Sequence, residues 1–133
     1  PFMPMHPGVY ADLLSSKMAE HGSTAWLINT GWSGGSYGVG SRMKIKYTRA
    51  MLNAALDGEL NDVEYVIDDR FGFEIPKSCP GVPAEVLLPR QTWEDGDAYD
   101  ATADKLAAMF NKNFERYSAG VSDEVNSASP SIS

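Results

Sequence analysis

Apolar positions near the start of the chain recur at helical spacing. Tyr10, Leu13, Leu14 and Met18 share one face between Pro7, where a first helical turn tolerates proline, and Gly22, a natural stop. The pattern predicts an amphipathic helix of about four turns. The period then changes. Ala25-Trp26-Leu27-Ile28 is a continuous apolar run bounded by polar and Gly residues, as expected of a strand buried on both faces of a parallel sheet. A Gly-rich stretch follows, and from Tyr47 to Leu56 helical spacing returns, with Met51, Leu52, Ala55 and Leu56 on one face and Gly58 near the end. Helix, strand, loop, helix is the order of an α/β fold.

Beyond Gly58, Val63, Tyr65 and Ile67 alternate with Glu64, Val66 and Asp68 as in a half-exposed strand. Pro76, Pro80, Pro83 and Pro89 then interrupt the chain repeatedly. Residues 71–93 read as an extended wrapping segment, because Phe71, Phe73, Ile75, Val86, Leu87 and Leu88 need a surface to cover. A long terminal helix is predicted from Tyr99 to Tyr117, with Ala103, Leu106, Phe110 and Phe114 as its core stripe and Gly120 closing it. The polar tail SDEVNSASPSIS is expected to be frayed in part. No internal repeat is visible.

Composition narrows the classes. The chain has 133 residues and 43% hydrophobic content, enough for one domain with a modest core and unlike a disordered chain. No apolar run approaches a membrane span and no signal segment opens the chain, so a cytosolic protein is expected. The opening PFMPMHPGVY, with Pro1 in place of Met, reads as the middle of a longer sequence. Cys79, the single cysteine, has no partner for a disulfide or a metal site and is expected to be buried and idle.

Charge singles out one segment. Eighteen acids face eleven Lys and Arg, a net charge of -7, yet Arg42, Lys44, Lys46 and Arg49 lie together with no acid among them. Sixteen of the acids fall between Asp57 and Glu124, so this basic segment should attract anions only at short range, which argues against a nucleic-acid footprint. The preceding GWSGGSYGVG fails both phosphate-loop patterns. Gly35 to Gly40 has Walker A spacing but continues with Ser41-Arg42 where Lys-Ser/Thr is required, and Gly38-Val39-Gly40 reaches Met43 where a dinucleotide loop needs its third glycine. What remains is a flexible turn that ends in an arginine near a helix start. Such a turn can lean on a ligand without cradling its phosphates.

Other chemistry-bearing residues read as structural. His6 suits a chain entry or helix start, and neither His6 nor His21 belongs to a nucleophilic triad. Asp68-Asp69 is a solvated turn rather than a metal dyad, since neighbouring strand residues point to opposite faces. Trp26, Trp32 and Trp93 are expected in core and loop packing. Lys44 and Lys46 are expected to be solvated or paired, and Arg49 similarly.

The ordered set PFMPMHP, WLINTGW, GGSYGVGSRMKIKYTRAML, FGFEIP and PGVPAEVLLPRQTW resembles the carboxy-terminal portion of ATP-dependent phosphoenolpyruvate carboxykinase, over nearly all of residues 1–117. The end departs from the family's usual close, with Ser127-Ala128-Ser129-Pro130 in place of an Ala-Ala-Gly-Pro-like stretch. The resemblance implies that residues 1–133 are the carboxy-terminal part of a mixed-sheet nucleotide-binding domain. It also implies an enzyme of gluconeogenesis, a carboxy-lyase that converts oxaloacetate and ATP to phosphoenolpyruvate, carbon dioxide and ADP with Mg2+ and Mn2+. The family's P-loop, metal ligands and substrate arginines are expected upstream, on the remainder of the same polypeptide, so no catalytic or metal-binding residue is assigned here.

Three residues match the family's ATP-binding positions. Arg42 matches an arginine beside the adenine, Met43 its neighbour, often Ile in the family, and Thr48 a threonine lining the same pocket. The chemistry is consistent: a planar, weakly hydrated guanidinium stacks on a purine, and a hydroxyl both donates and accepts at the base edge. Thr48 is also a candidate N-cap for the helix starting near Tyr47. A different class of reading stands beside the enzyme: a stand-alone α/β module that holds a nucleotide or another anion without catalysis.

Overall fold

The computed structural model describes residues 4–29 and 31–132; Pro1 and the opening that reads as mid-sequence lie in part outside them. Helix α1 (Pro7–His21) starts where proline and a cap coincide. His6 is the N-cap, its Nδ1 accepting from the Gly8 N–H at 3.1 Å, and Gly22 closes the helix at φ 60° with its N–H bonded to the Met18 carbonyl. The expected stripe is present but lies open, with Leu13 and Leu14 exposed and only Gly8 buried.

The strand expected at Ala25–Ile28 does not form. Residues 23–29 carry neither helix nor ladder, and Leu27 is 78% exposed. A central strand needs neighbours to take its backbone donors and acceptors, and none lies beside it among the described residues. The Gly-rich stretch instead builds a hairpin. Strands β1 (Trp32–Ser33) and β2 (Ser41–Arg42) pair antiparallel, Trp32 opposite Arg42 and Ser33 opposite Ser41. The loop closes tightly because a Cβ on Gly40 would meet the Gly35 backbone N and O at 2.7 Å, a contact only glycine permits.

Helix α2 (Ile45–Leu56) follows, ending at Asp57 and Gly58, the latter at φ 76°. Strands β3 (Tyr65–Ile67) and β4 (Glu74–Pro76) form a second antiparallel hairpin with Val66 opposite Ile75. Its turn is held by the Asp68 carboxylate, which accepts from the N–H groups of Arg70 and Phe71 at 3.1 and 2.7 Å. The segment 71–93 covers the core as expected but is not extended throughout, since it contains β4, the short helix α3 (Ala84–Leu87) and a 3-10 turn at Pro89–Thr92.

The core is small: Ala54, Leu60, Cys79 and Leu87, with Trp26, Met51, Ala55, Ile75 and Val82 packed around it. Burial raises the Cys79 thiol pKa, as expected for an idle cysteine. Helix α4 (Gly96–Phe114) begins at Asp95, whose carboxylate caps the N–H groups of Asp97 and Ala98. Its expected core stripe needs correction. Ala103 and Ala107 are buried, whereas Leu106 and Phe110 stay exposed, because the covered side of the helix runs through this i, i+4 pair of alanines, with Phe110 edge-on against Phe71 at its margin. The helix also ends at Phe114, before a 3-10 turn at Ser118–Gly120. Helix α5 (Asp123–Ser127), capped by the Ser122 hydroxyl, orders the tail, and Asn111 Nδ2 donates to the Pro130 carbonyl while the Ser131 N–H donates to that of Arg70. Through Pro130 and Ser131 the tail is docked rather than frayed, Ser133 lying outside the described residues.

The mix of helices and small sheets agrees with an α/β class. Both sheets are two-stranded and antiparallel, so the parallel sheet expected around residues 25–28 is absent among the described residues.

Candidate functional site

The hairpin delivers Arg42 to the start of α2. Arg42 closes β2, the Met43 N–H bonds to the Gly31 carbonyl at 3.0 Å, and Lys44 turns the chain into the helix as its N-cap. Thr48 is therefore not the cap. Tyr47 and Thr48 bond through their N–H groups to the Lys44 carbonyl at 2.9 and 3.4 Å, which places Thr48 one turn inside the helix, half-buried. Arg42, Met43 and Thr48 thus lie around one junction, Arg42 exposed and Met43 half-buried.

The environment of Arg42 is aromatic. Its Cζ lies 5.8 Å from the Trp32 ring centroid, within cation–π range, and Tyr37 from the loop tip meets Trp32 edge-on at 5.1 Å and 78°. The ion pairs among the described residues engage Lys17, Arg70, Lys77 and Arg90, and none engages Arg42. Lys44 and Lys46 are exposed, their ammonium groups 6.0 and 5.0 Å from the Tyr47 ring centroid. No acid stands in the first turn of α2, so these bases sit against the positive end of the helix dipole and leave that end attractive to an anion.

An open groove of about 390 Å³ runs beside α2, lined by Thr24, Trp26, Ile28, Leu52, Ala55 and Leu56 among others. Arg42, Met43 and Thr48 do not line it. Thr48, Leu52 and Ala55 nevertheless follow one another at i, i+4 and i+7, so Thr48 stands one turn beyond the groove on the same helical face.

The residues read as structural behave so. His6 caps α1 and packs edge-on against Tyr117, Asp68 holds its turn, Trp26 abuts the core and Trp93 meets Tyr99 edge-on. No group of three or more His, Cys, Asp or Glu side chains that could hold a metal comes together among the described residues. Sequence reasoning missed the pairing of Trp32 with Arg42. The signal available was two short polar-aromatic flanks around a Gly-rich turn, too brief to show alternation.

A family model described as phosphoenolpyruvate carboxykinase matches residues 1–85. The chain is 61% identical over 125 residues to the phosphoenolpyruvate carboxykinase (ATP) of Geotalea uraniireducens, covering 94% of this chain and 24% of that protein. It is 59% identical over 127 residues to the same-named protein of Geobacter metallireducens, covering 92% of this chain and 24% of that one. With that of Brucella anthropi it shares 56% over 132 residues, 99% of this chain and 25% of the relative. The chain thus spans about a quarter of the length of these curated relatives, and it belongs to the phosphoenolpyruvate carboxykinase (ATP) family.

Proposed function

We propose that residues 1–133 are the carboxy-terminal part of the nucleotide-binding domain of a cytosolic ATP-dependent phosphoenolpyruvate carboxykinase, and that they supply part of its adenine pocket. The whole polypeptide would decarboxylate oxaloacetate and transfer a phosphoryl group from ATP, yielding phosphoenolpyruvate, carbon dioxide and ADP. The observation that carries this reading is the placement of Arg42. Its guanidinium rests on an indole, without a carboxylate, at the mouth of α2. A cation so held can stack on a purine face, while the half-buried Met43 offers an apolar edge and the Thr48 hydroxyl a donor and acceptor for the base.

The phosphates and the divalent cation, Mg2+ or Mn2+, belong elsewhere on the longer polypeptide. The chain has neither a Walker A loop nor, among the described residues, a metal-binding cluster, so no step of phosphoryl transfer is assigned to it. Its contribution is binding felt equally in ground and transition states.

Two measurements test the reading together. The intact mass of the native protein should far exceed the 14.5 kDa of these residues. The long chain should turn over ATP in an oxaloacetate-dependent way, whereas purified residues 1–133 should show none. A native protein of 14.5 kDa that binds nucleotide without turnover would instead establish the stand-alone module.

A further inference from the structure

We propose that Trp32 is a positioning residue for nucleotide binding: its indole holds the Arg42 guanidinium flat so that the opposite face of that guanidinium receives the base. The inference rests on the adenine-pocket reading above and extends it to a residue outside the Arg42–Thr48 segment. Three observations carry it. The ladder sets Trp32 directly opposite Arg42, so the two side chains stand on one face of the hairpin. The guanidinium carbon lies 5.8 Å from the indole centroid, and no carboxylate among the described residues competes for it. Tyr37 stands edge-on against the same indole, which limits where the ring can turn.

The hairpin has a support of its own. Ser33 Oγ donates to Thr92 Oγ1 at 3.3 Å, and a Cβ on Gly34 would meet the Thr92 carbonyl oxygen at 2.9 Å, so the hairpin base sits against the Pro89–Thr92 turn. Trp32 is therefore fixed at the root of the Gly-rich loop rather than at its tip. An arginine side chain loses much rotamer freedom when a ligand immobilises it, and an indole that already orients the guanidinium reduces that loss. A guanidinium is planar with two equivalent faces, so one can lie on Trp32 while the other stacks on a nucleobase.

The test uses the full-length enzyme and compares Trp32→Leu, Trp32→Phe, Arg42→Ala and the Trp32→Leu/Arg42→Ala double variant. Equilibrium binding of ATP and of inorganic tripolyphosphate, which has no base, is measured by calorimetry beside KM, kcat and melting temperature. Trp32 is 42% exposed on a two-residue strand, so its replacement leaves the buried core intact. Trp32→Leu should weaken ATP roughly 2- to 5-fold, the loss of an exposed cation–π contact, with kcat and tripolyphosphate affinity unchanged. Trp32→Phe, which keeps a weaker ring face, should fall between the wild type and Trp32→Leu, and Trp32→Leu should add nothing once Arg42 is alanine. Unchanged ATP affinity in Trp32→Leu, with a clear loss in Arg42→Ala, would overturn the role of Trp32 and leave the adenine pocket standing. Equal weakening of ATP and tripolyphosphate would mean a collapsed hairpin and overturn it too. Normal ATP affinity in Arg42→Ala would remove both.

Discussion

Arg90 and Asp100 meet fork to fork: Arg90 Nε lies 3.1 Å from each carboxylate oxygen and Nη2 lies 2.9 Å from Oδ2. Arg70 reaches the same carboxylate at 3.3 Å and Asp104 at 2.6 Å, so α4 is tied both to the Pro89–Thr92 turn and to the β3–β4 turn. The hydrogen bonds from Arg90, its charge and that of Arg70 hold the Asp100 carboxyl below the usual carboxylate range. A folded-state pKa below the unfolded one gives stabilisation that is complete above the ordinary value of about 3.9 and fades as pH falls through the lower folded value. Asp100→Asn should therefore lower the melting temperature at pH 7 and flatten its decline below about pH 4. Melts from pH 7 to pH 2.5 check this, and parallel curves for the two proteins would contradict it.

Gly8 and Gly120 set a second close approach. A Cβ on Gly8 would run into the Gly120 carbonyl oxygen, and one on Gly120 would meet His6 Cε1 at 2.6 Å. Alanine in a helix is ordinarily favoured over glycine by about 1 kcal/mol, but overpacking against a backbone atom costs about 1–3 kcal/mol. Gly8→Ala is expected to destabilise the protein in denaturant titration despite its better helix propensity. A stabilised variant would show that the contact yields.

Cys79 is 6% exposed within the core, and burial raises its thiol pKa. The thiolate is the reactive form, so labelling by an aromatic disulfide should be slow in the native state, and at pH 8 should report core opening rather than thiol ionisation. Denaturant should release the thiol at once. Fast labelling of the native protein would place Cys79 at the surface.

Helices α1 and α2 were legible because their punctuation is local. Pro7 and Gly22 bracket α1, and Gly58 follows α2 within two residues of its end, so period and stop signals agree without help from the rest of the molecule. The strand expected at 25–28 does not form; an apolar run states that a segment wants burial on both sides but not which strands would flank it. For α4, Leu106 and Phe110 share the apolar period with Ala103, yet Ala103 and Ala107 are the buried ones while Phe110 meets Phe71 edge-on and stays exposed, and which apolar face is covered depends on surfaces that periodicity does not encode. Arg42 stood out by charge alone. Its partner Trp32 is set by hairpin register, which two-residue strands hide.

Much apolar surface is open on these residues. Leu27 and Leu56 are largely exposed, and Leu13, Leu14, Phe73 and Phe110 are exposed as well, against six buried hydrophobic residues among the described ones. Residues 1–133 prepared alone should self-associate or bind a hydrophobic dye strongly. Light scattering at rising concentration checks this, and a monodisperse, non-binding monomer would contradict it.

The proposed contact of Arg42 with the base of ATP is tested most directly by steady-state kinetics of Arg42→Ala in the full-length enzyme. Loss of a partly desolvated cation–π contact, about 1–2 kcal/mol, should raise the KM for ATP roughly 5- to 30-fold. The kcat and the KM for oxaloacetate should be nearly kept, because a contact to the base would act equally in ground and transition states. Arg42→Lys should recover only part of the loss, since an ammonium keeps the charge without the planar face. An unchanged KM for ATP in an Arg42→Ala enzyme that melts like the wild type would contradict the assignment.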